Sequence, residues 1–195
     1  MTRVIAGAAG GRRLAVPPGR GTRPTADRTR EGLFSTLLAL RGDLVGARFL
    51  DLYAGSGAVG LEALSRGAAH VLLVEAAPPA AVVARTNAAA LGLPGAQVVT
   101  GRVERVLAAP PPASGPPYDV AFLDPPYDIP TAELTAALRA LTLGRWLATD
   151  ALVVVERASR DGPPEWPEGL SPLRGRRYGE GSLWYGRAAA PAENR

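Results

Sequence analysis

The sequence contains no cysteine and no lysine, and it has a single histidine, His70. The absence of cysteine excludes disulfides, thiolate catalysis and cysteine-ligated zinc. One histidine cannot build a multi-histidine metal site, so no metal centre is predicted. Because lysine is missing, all 22 basic side chains are arginines, and every side-chain cation apart from a protonated His70 is a guanidinium.

Long apolar runs are also absent. No segment approaches the roughly 20 apolar residues that a membrane-spanning helix needs, and residues 1–7 lack the apolar stretch of a signal peptide. We therefore expect a soluble, cytoplasmic protein with no membrane partner. The 195 residues are enough for one domain with a full hydrophobic core.

Positive charge is concentrated near the amino terminus. Residues 1–30 contain seven arginines and one acid, Asp27, so this segment carries +6 while the whole chain carries +4. A basic extension on a near-neutral body favours a polyanionic partner such as nucleic acid, because phosphate contacts dominate the affinity of such complexes. A solvated extension without a partner is the alternative.

Helix and strand patterns alternate through the middle of the sequence. Helices are predicted over 27–40, 57–66, 78–91, 103–108 and from 131, and strands over 48–53, 71–75, 97–100, 118–123 and 151–156. This alternation predicts an α/β fold with a mostly parallel seven-stranded sheet and helices on both faces. Residues 173–178 and 183–187 flank a Gly-rich turn and predict an antiparallel carboxyl-terminal hairpin.

The domain organisation follows from these patterns. Residues 1–40 are expected to form a basic amino-terminal arm and helix, 41–187 the main domain, and 188–195 a flexible tail. Within the arm, residues 7–21 are rich in Gly, Pro and Arg and predict a hairpin or a loop.

Asp124-Pro125-Pro126-Tyr127 follows the apolar strand 118–123 directly. In open α/β sheets, ligands bind at the carboxyl ends of the strands. Two prolines stiffen the loop and contribute no N–H, so the Asp124 carboxylate and nearby carbonyls are acceptors beside an aromatic ring. Such a loop suits a flat base with an exocyclic amino group. Taken alone, the tetrapeptide is explained equally well as a turn in which Asp124 ends a strand.

A glycine loop lies at the first strand-to-helix turn. Gly55-x-Gly57-x-x-Gly60 matches the dinucleotide-binding fingerprint formally, and Glu75 ends the next strand at the spacing of its ribose-binding acid. An oxidoreductase is therefore one candidate. Asp51 argues against it, because a carboxylate ahead of the glycines repels a pyrophosphate but attracts the ammonium or sulfonium of S-adenosylmethionine. An ordinary tight turn is the structural alternative.

These features together resemble the RsmD family of class I S-adenosylmethionine-dependent methyltransferases. The resemblance runs nearly end to end and is carried by residues 3–7, 11–14, 23–34, 51–68, 75, 124–127 and 177–180. The Arg-Pro-Thr-x-Asp-Arg-x-Arg-Glu segment beginning at Arg23 is the narrowest of these motifs. The chain departs from the family at Ala6, where glycine is usual, and at Arg102, where an acid or amide is common.

The resemblance implies a Rossmann-like fold and an activity. The enzyme would methylate the exocyclic N2 of one guanine, guanine 966, in 16S ribosomal RNA within a 30S assembly particle, and would act as a monomer. The implied catalytic residues are Asp124, Pro125, Pro126 and Tyr127. The implied cofactor-binding residues are Asp51, Tyr53, Ala54, Gly55, Gly57, Glu75, Ala76, Arg102 and Val103. The candidate RNA-binding residues are Arg12, Arg13, Arg23, Arg28 and Arg30.

Two other functions remain open at this point. A methyltransferase acting on adenine N6 of another RNA or of DNA uses the same Asp-Pro-Pro-Tyr loop, although its usual target-recognition domain has no room in this chain. A non-enzymatic RNA-binding protein would keep the basic arm but would not need Glu75 or Asp124. Binding of S-adenosylmethionine separates this last alternative from the two enzymes.

Overall fold

The computed structural model describes residues 2–17, 27–112, 115 and 117–189. The chain divides into two compact units, Met1–Arg102 and Val103–Arg195. The predicted tail lies outside the described residues apart from its first two positions, Ala188 and Ala189. The division at residue 40 that the sequence suggested stays a prediction.

The first unit contains five strands and three helices among its described residues. They are β1 (Thr2–Arg3), β2 (Arg13–Leu14), α1 (Asp27–Arg41), β3 (Arg48–Leu52), α2 (Ala58–Ser65), β4 (His70–Glu75), α3 (Pro78–Leu91) and β5 (Ala96–Thr100). Strands β1 and β2 form a small antiparallel pair, and β3, β4 and β5 run parallel to one another. Helix α2 packs on β3 and β4, and α3 packs on β4 and β5.

Local sequence explains these elements. Strands β3 and β4 are almost entirely buried, which is typical of the near-continuous apolar strands of parallel sheets. Helix α3 begins with Pro78 and Pro79, whose missing N–H groups cost nothing in the first helical turn. It ends before Gly92, which adopts the left-handed conformation with φ of +65°.

The second unit contains four strands and two helices among its described residues. They are α4 (Val103–Ala108), β6 (Tyr118–Leu123), α5 (Thr131–Leu143), β7 (Leu147–Ala158), β8 (Leu170–Tyr178) and β9 (Gly181–Ala188). Strand β6 runs parallel to β7, while β9 is antiparallel to both β7 and β8. The core of this unit includes the stacked rings of Tyr118 and Trp146, whose centroids lie 6.1 Å apart.

Strands β3 to β9 belong to one seven-stranded sheet in the order β5-β4-β3-β6-β7-β9-β8. This confirms the predicted α/β fold with a mostly parallel sheet and an antiparallel carboxyl-terminal hairpin. Several elements are longer than the sequence indicated: β7 begins at Leu147 rather than Ala151, and β8 at Leu170 rather than Leu173. Helix α5 begins at Thr131, as the sequence indicated, with Pro130 at its cap position.

Candidate active site

The glycine loop leaves β3 through an unusual backbone. Tyr53 has a φ of +64°, which is uncommon for a residue with a side chain, and Gly55 and Gly57 have φ values of +55° and +80°. The Ala54 N–H donates to the Val74 carbonyl at 2.9 Å, which ties the loop to β4. A Cβ added to Gly55 would meet no described atom within 4 Å. Open space beside a left-handed glycine is what a closely approaching ligand requires.

Gly60 has a different role from Gly55. A Cβ at Gly60 would lie 2.4 Å from Leu73 Cδ2 and 2.6 Å from Val71 Cγ1, so α2 packs against β4 at the distance that glycine allows. The sequence fingerprint assigns this function to its third glycine, and the structure agrees. Gly60 is therefore a packing residue, while Gly55 borders open space.

The Asp51 carboxylate lies within the first unit's core rather than at its surface. Its side chain is 1% exposed, and Oδ2 accepts a 2.9 Å hydrogen bond from the Gly60 N–H. Burial raises the pKa of Asp51 to about 7; the Gly60 hydrogen bond lowers it and the charge of Glu75 adds to the rise. In this structure Asp51 holds the first turn of α2. Its predicted attraction for the cofactor's positive charge stays a prediction.

Glu75 connects the end of β4 with the glycine loop. Its Oε2 accepts the Gly55 N–H at 2.8 Å, and its Oε1 accepts the Ala77 N–H at 2.7 Å. A carboxylate has about four lone-pair positions, so each oxygen still has one available. The carboxylate is thus oriented by two backbone donors and can accept from both hydroxyls of a ribose.

The remaining predicted cofactor residues follow β4 and β5. Ala76 is exposed directly after Glu75, and Gly101 donates its N–H to the Glu75 carbonyl at 2.9 Å, which places the start of the next loop beside β4. Arg102 is exposed and ends the first unit. Val103, the first residue of α4, is 3% exposed and opens the second unit.

Sequence reasoning missed Asn87, which supports the glycine loop from α3. This side chain is 3% exposed. Its Nδ2 donates to the Ser56 carbonyl at 2.9 Å and to the Ala15 carbonyl at 3.0 Å, and its Oδ1 accepts the Ala15 N–H at 2.8 Å. Asn87 therefore fixes both the loop and the segment after β2. A buried polar residue in an Ala-rich helix was the available signal.

Asp124-Pro125-Pro126-Tyr127 forms the loop after β6, as predicted. Asp124 is half-buried and Pro125 is buried, whereas Tyr127 is 51% exposed. Exposure of so large an aromatic ring in a loop at the carboxyl end of a parallel strand is consistent with stacking on a flat ligand. The Pro126 carbonyl accepts the Ile129 N–H at 3.0 Å, which closes the turn after the prolines.

A small, open cleft lies beside the Tyr127 ring. Its lining consists of Pro125, Pro126, Tyr127, Ile129, Glu156, Arg157, Ala158 and Asp161. Glu156 is 8% exposed, and Arg157 pairs with Asp161 at 3.7 Å. The cleft thus combines an aromatic wall with buried and paired charges, and the sequence had not indicated the contribution of β7.

Two of the arginines proposed to bind RNA make hydrogen bonds within the first unit. Arg30 is fully buried, and its Nη2 donates to the Arg3 carbonyl at 2.6 Å and to Asp27 Oδ1 at 2.8 Å. Burial lowers the pKa of Arg30, while the charges of Asp27 and Glu62 oppose that shift. Arg12 donates to the Leu91 carbonyl at 2.9 Å and to the Ala90 carbonyl, which satisfies the last turn of α3.

Hydrogen bonds attach the amino-terminal segment of residues 5–9 to α2. The Glu62 carboxylate accepts the N–H groups of Ile5 and Ala6 at 2.6 and 3.0 Å, and Ser65 Oγ accepts that of Ala9 at 2.9 Å. Gly7 is required at its position because a Cβ would lie 1.8 Å from the Ser65 carbonyl oxygen. Residues 5–9 are therefore a packed part of the unit.

The other candidate RNA contacts differ in position. Arg13 and Arg28 are exposed, and Arg23 lies outside the described residues. Arg12 is exposed as well, so among the four described candidates Arg30 alone is buried away from a phosphate contact. An RNA-binding role for each of the five arginines stays a prediction.

Within the described part of the chain, His70 and the acidic side chains form no metal-binding cluster. His70 begins β4, at the end of the strand opposite Glu75, and burial and the charge of Arg48 lower its pKa. Among residues 2–17, 27–112, 115 and 117–189, no three His, Asp or Glu side chains are grouped so that they could hold a metal ion. Within the same ranges, no helix is both long and apolar enough to span a membrane.

Curated relatives match most of the chain. "Ribosomal RNA small subunit methyltransferase D" of Escherichia coli strain K12 is 40% identical over 169 residues, which cover 87% of this chain and 81% of the relative. "Ribosomal RNA small subunit methyltransferase D" of Haemophilus influenzae is 36% identical over 172 residues, covering 88% and 86%.

Solved structures agree with the fold. The Escherichia coli protein yhhF superimposes with a TM-score of 0.83 at 36% identity, covering 97% of this chain and 99% of that chain. The rRNA methyltransferase aviRa of Streptomyces viridochromogenes has a TM-score of 0.69 at 20% identity and covers 88% of each chain, which supports the fold alone.

The model of the family described as "Conserved hypothetical protein 95" matches residues 2–187, nearly the whole chain. This match and the curated relatives confirm the resemblance that the sequence motifs suggested. The chain belongs to this family, the RsmD family of methyltransferases.

Proposed function

We propose that this protein is a ribosomal RNA methyltransferase that transfers a methyl group from S-adenosylmethionine to N2 of a guanine in the small-subunit RNA. Guanine 966, in a 30S particle undergoing assembly, is the specific target proposed. The names of the curated relatives support the class of enzyme and of substrate. The choice of guanine N2 rests on the family resemblance.

The first unit would bind the methyl donor. S-adenosylmethionine supplies an electrophilic methyl group on a sulfonium. The left-handed Gly55 borders open space, and the Glu75 carboxylate is held by two backbone N–H groups with acceptor capacity remaining on each oxygen. This arrangement fits an adenosine whose ribose hydroxyls donate to Glu75 and whose remainder passes close to the Gly55 backbone.

The second unit would hold the acceptor base. The observation that carries this assignment is the exposure of Tyr127, at 51%, in a proline-stiffened loop directly after Asp124 at the end of β6. The ring would stack on a guanine that has left its own stack, a contact worth about 1–3 kcal/mol per base.

Orientation is the chemical contribution of this loop. The guanine amino group is a weak nucleophile because its lone pair delocalises into the ring. Hydrogen bonds from its two N–H groups to the Asp124 carboxylate and the Pro125 carbonyl would turn the lone pair toward the methyl group. Positioning of this kind can lower a barrier by several kcal/mol, up to about 7–11 in the best intramolecular cases.

A comparison of ribosomal RNA from cells with and without the gene tests this function. We expect one N2-methylguanine of the small-subunit RNA to disappear when the gene is deleted and to return when the wild-type gene is supplied. The Asp124→Asn variant should not restore it. Unchanged methylation in the deletion strain, or loss of a methyladenine instead, would contradict the proposal.

A further inference from the structure

We propose that Arg174 and Arg176, on the exposed strand β8, form a phosphate-binding surface for the RNA strand that flanks the methylated base. This inference rests on the proposed function, because it assigns part of the RNA contact of that same enzyme. It differs from the sequence-based expectation, which placed the RNA contact on the amino-terminal arginines.

Strand β8, the outermost strand of the sheet, is strongly basic. It contains Arg174, Arg176 and Arg177 and no acidic residue, and residues 171–177 are all exposed. Within the part of the chain that the structure describes, neither Arg174 nor Arg176 takes part in an ion pair. Arg177 is engaged locally, since its Nε donates to the Gly179 carbonyl at 3.0 Å. Two guanidinium groups are thus presented to solvent together.

Alternation along the strand places Arg174 and Arg176 on the same face, about 7 Å apart along the backbone. The residue between them is Gly175, which pairs with Trp184 of β9. A Cβ at Gly175 would lie 2.4 Å from Trp184 Cζ3, so the indole ring lies directly against the backbone of β8. The tryptophan therefore supports the strand from one face while the two arginines project from the other.

Strand register places this surface at the level of the acceptor loop. Arg176 is opposite Leu183, and Leu183 is opposite Glu156 on β7. Glu156 follows Val155, which is the register partner of Leu123, the residue before Asp124. Arg176 and Asp124 are thus at equivalent positions on β8 and β6.

The separation suits a nucleic acid strand. Three strand spacings separate β6 from β8, or about 14 Å. That span corresponds to about four nucleotides of a stacked strand. A base held beside Tyr127 would therefore leave phosphates a few nucleotides away within reach of Arg174 and Arg176. The burial of Arg30 inside the first unit removes one of the expected cations and increases the need for cations elsewhere.

The test compares two double variants of equal charge. Arg174→Gln/Arg176→Gln removes the proposed surface. Arg139→Gln/Arg145→Gln removes two other exposed arginines of the same unit and serves as the control. Binding to a small-subunit ribosomal RNA transcript is measured between about 50 and 200 mM salt, where phosphate contacts determine the slope of log affinity against log salt concentration.

We expect the β8 double variant to bind at least about tenfold more weakly at low salt, with a slope reduced by about 1.5 to 2. Its KM for RNA should rise while kcat at saturating RNA stays within about twofold, because the cofactor and the base are held elsewhere. Melting temperature and calorimetric affinity for S-adenosylhomocysteine should match the wild type. The control should keep the wild-type slope within about 0.5.

Equal slopes for the two double variants, or an unchanged KM for RNA, would overturn the surface proposal and leave the proposed function standing. A wild-type protein that binds S-adenosylhomocysteine but neither binds nor methylates the RNA would overturn both. The readouts thus distinguish a wrong surface from a wrong substrate.

Discussion

The Gly55 N–H donates a 2.8 Å hydrogen bond to Glu75 Oε2, and this contact joins the glycine loop to the acid at the end of the neighbouring strand. The glycine that leaves space for a ligand is therefore fixed by the carboxylate proposed to bind the ribose. A change at either residue should affect the other. This coupling makes the donor site of the first unit testable by small substitutions.

Gly55→Ala should weaken binding of S-adenosylhomocysteine at least about tenfold, because the new methyl group would occupy the space assigned to the cofactor. Gly92→Ala is the matched control, since Gly92 has a similar φ, +65° against +55°, and neither added Cβ meets a described atom within 4 Å. Both variants should lose about 1–2 kcal/mol of unfolding free energy from backbone strain. Calorimetry and chemical denaturation measure the two quantities. Equal cofactor affinities for the two variants would show that Gly55 does not border the ligand.

Asp124→Asn should reduce kcat by about 10²–10³-fold, because the amide presents one acceptor oxygen and a repelling NH2 group to the guanine amine. Affinity for S-adenosylmethionine should stay within about tenfold, since Asp124 is assigned to the acceptor rather than to the donor. Asp128→Asn, an exposed position in the same loop, is the control and should be nearly silent. A loss of cofactor affinity as large as the loss of rate would remove Asp124 from its assigned role.

Tyr127→Ala should lower kcat/KM for RNA by about 5- to 150-fold, which corresponds to the loss of one base-stacking contact of about 1–3 kcal/mol. Tyr127→Phe keeps the aromatic ring and should stay within about threefold of the wild type. Steady-state kinetics with the RNA substrate measure both variants. If the two substitutions cause equal damage, the hydroxyl group matters and the stacking role is wrong.

The buried carboxyl of Asp51 predicts a pH dependence of stability. Its pKa is raised to about 7 in the folded protein from an ordinary value of 3.8. Between these values the folded state keeps a proton that the unfolded state has released, so stability falls as the pH rises from about 4 to about 7. The slope is at most about 1.4 kcal/mol per pH unit for one group.

Asp51→Asn isolates this contribution, because the amide oxygen can still accept the Gly60 N–H but does not titrate in this range. Denaturation of both proteins between pH 5 and 8 should show the wild type losing about 2 kcal/mol relative to the variant by pH 7, with little further change above pH 8. Parallel pH profiles would show that Asp51 is already ionised in the folded protein.

The sequence predicted those features whose cause is local. Glycine spacing identified the loop, and Gly55 and Gly57 do adopt left-handed conformations. The apolar run of 118–123 located β6 to the residue, because prolines close to both ends of this buried strand mark its limits. The first residues of β7 and β8 are held by pairing with β6 and β9, respectively, and the sequence analysis therefore placed the start of each strand several residues too late.

Long-range contacts account for what the sequence could not provide. Arg30 was expected at the surface because arginine is rarely buried, yet the Arg3 carbonyl and the Asp27 carboxylate allow its burial. Asn87 was overlooked because its partner Ala15 is 72 residues away. Glu156 was overlooked for the same reason, because its place beside Tyr127 depends on the pairing of β6 with β7.

The most direct measurement is methyl transfer by the purified protein from isotopically labelled S-adenosylmethionine. The substrates are 16S RNA and 30S particles from cells that lack the gene. Digestion to nucleosides and mass spectrometry then identify the product. We expect label in N2-methylguanosine at a single site of the small-subunit RNA. Label in N6-methyladenosine, or no label from protein that is folded and saturated with donor, would contradict it.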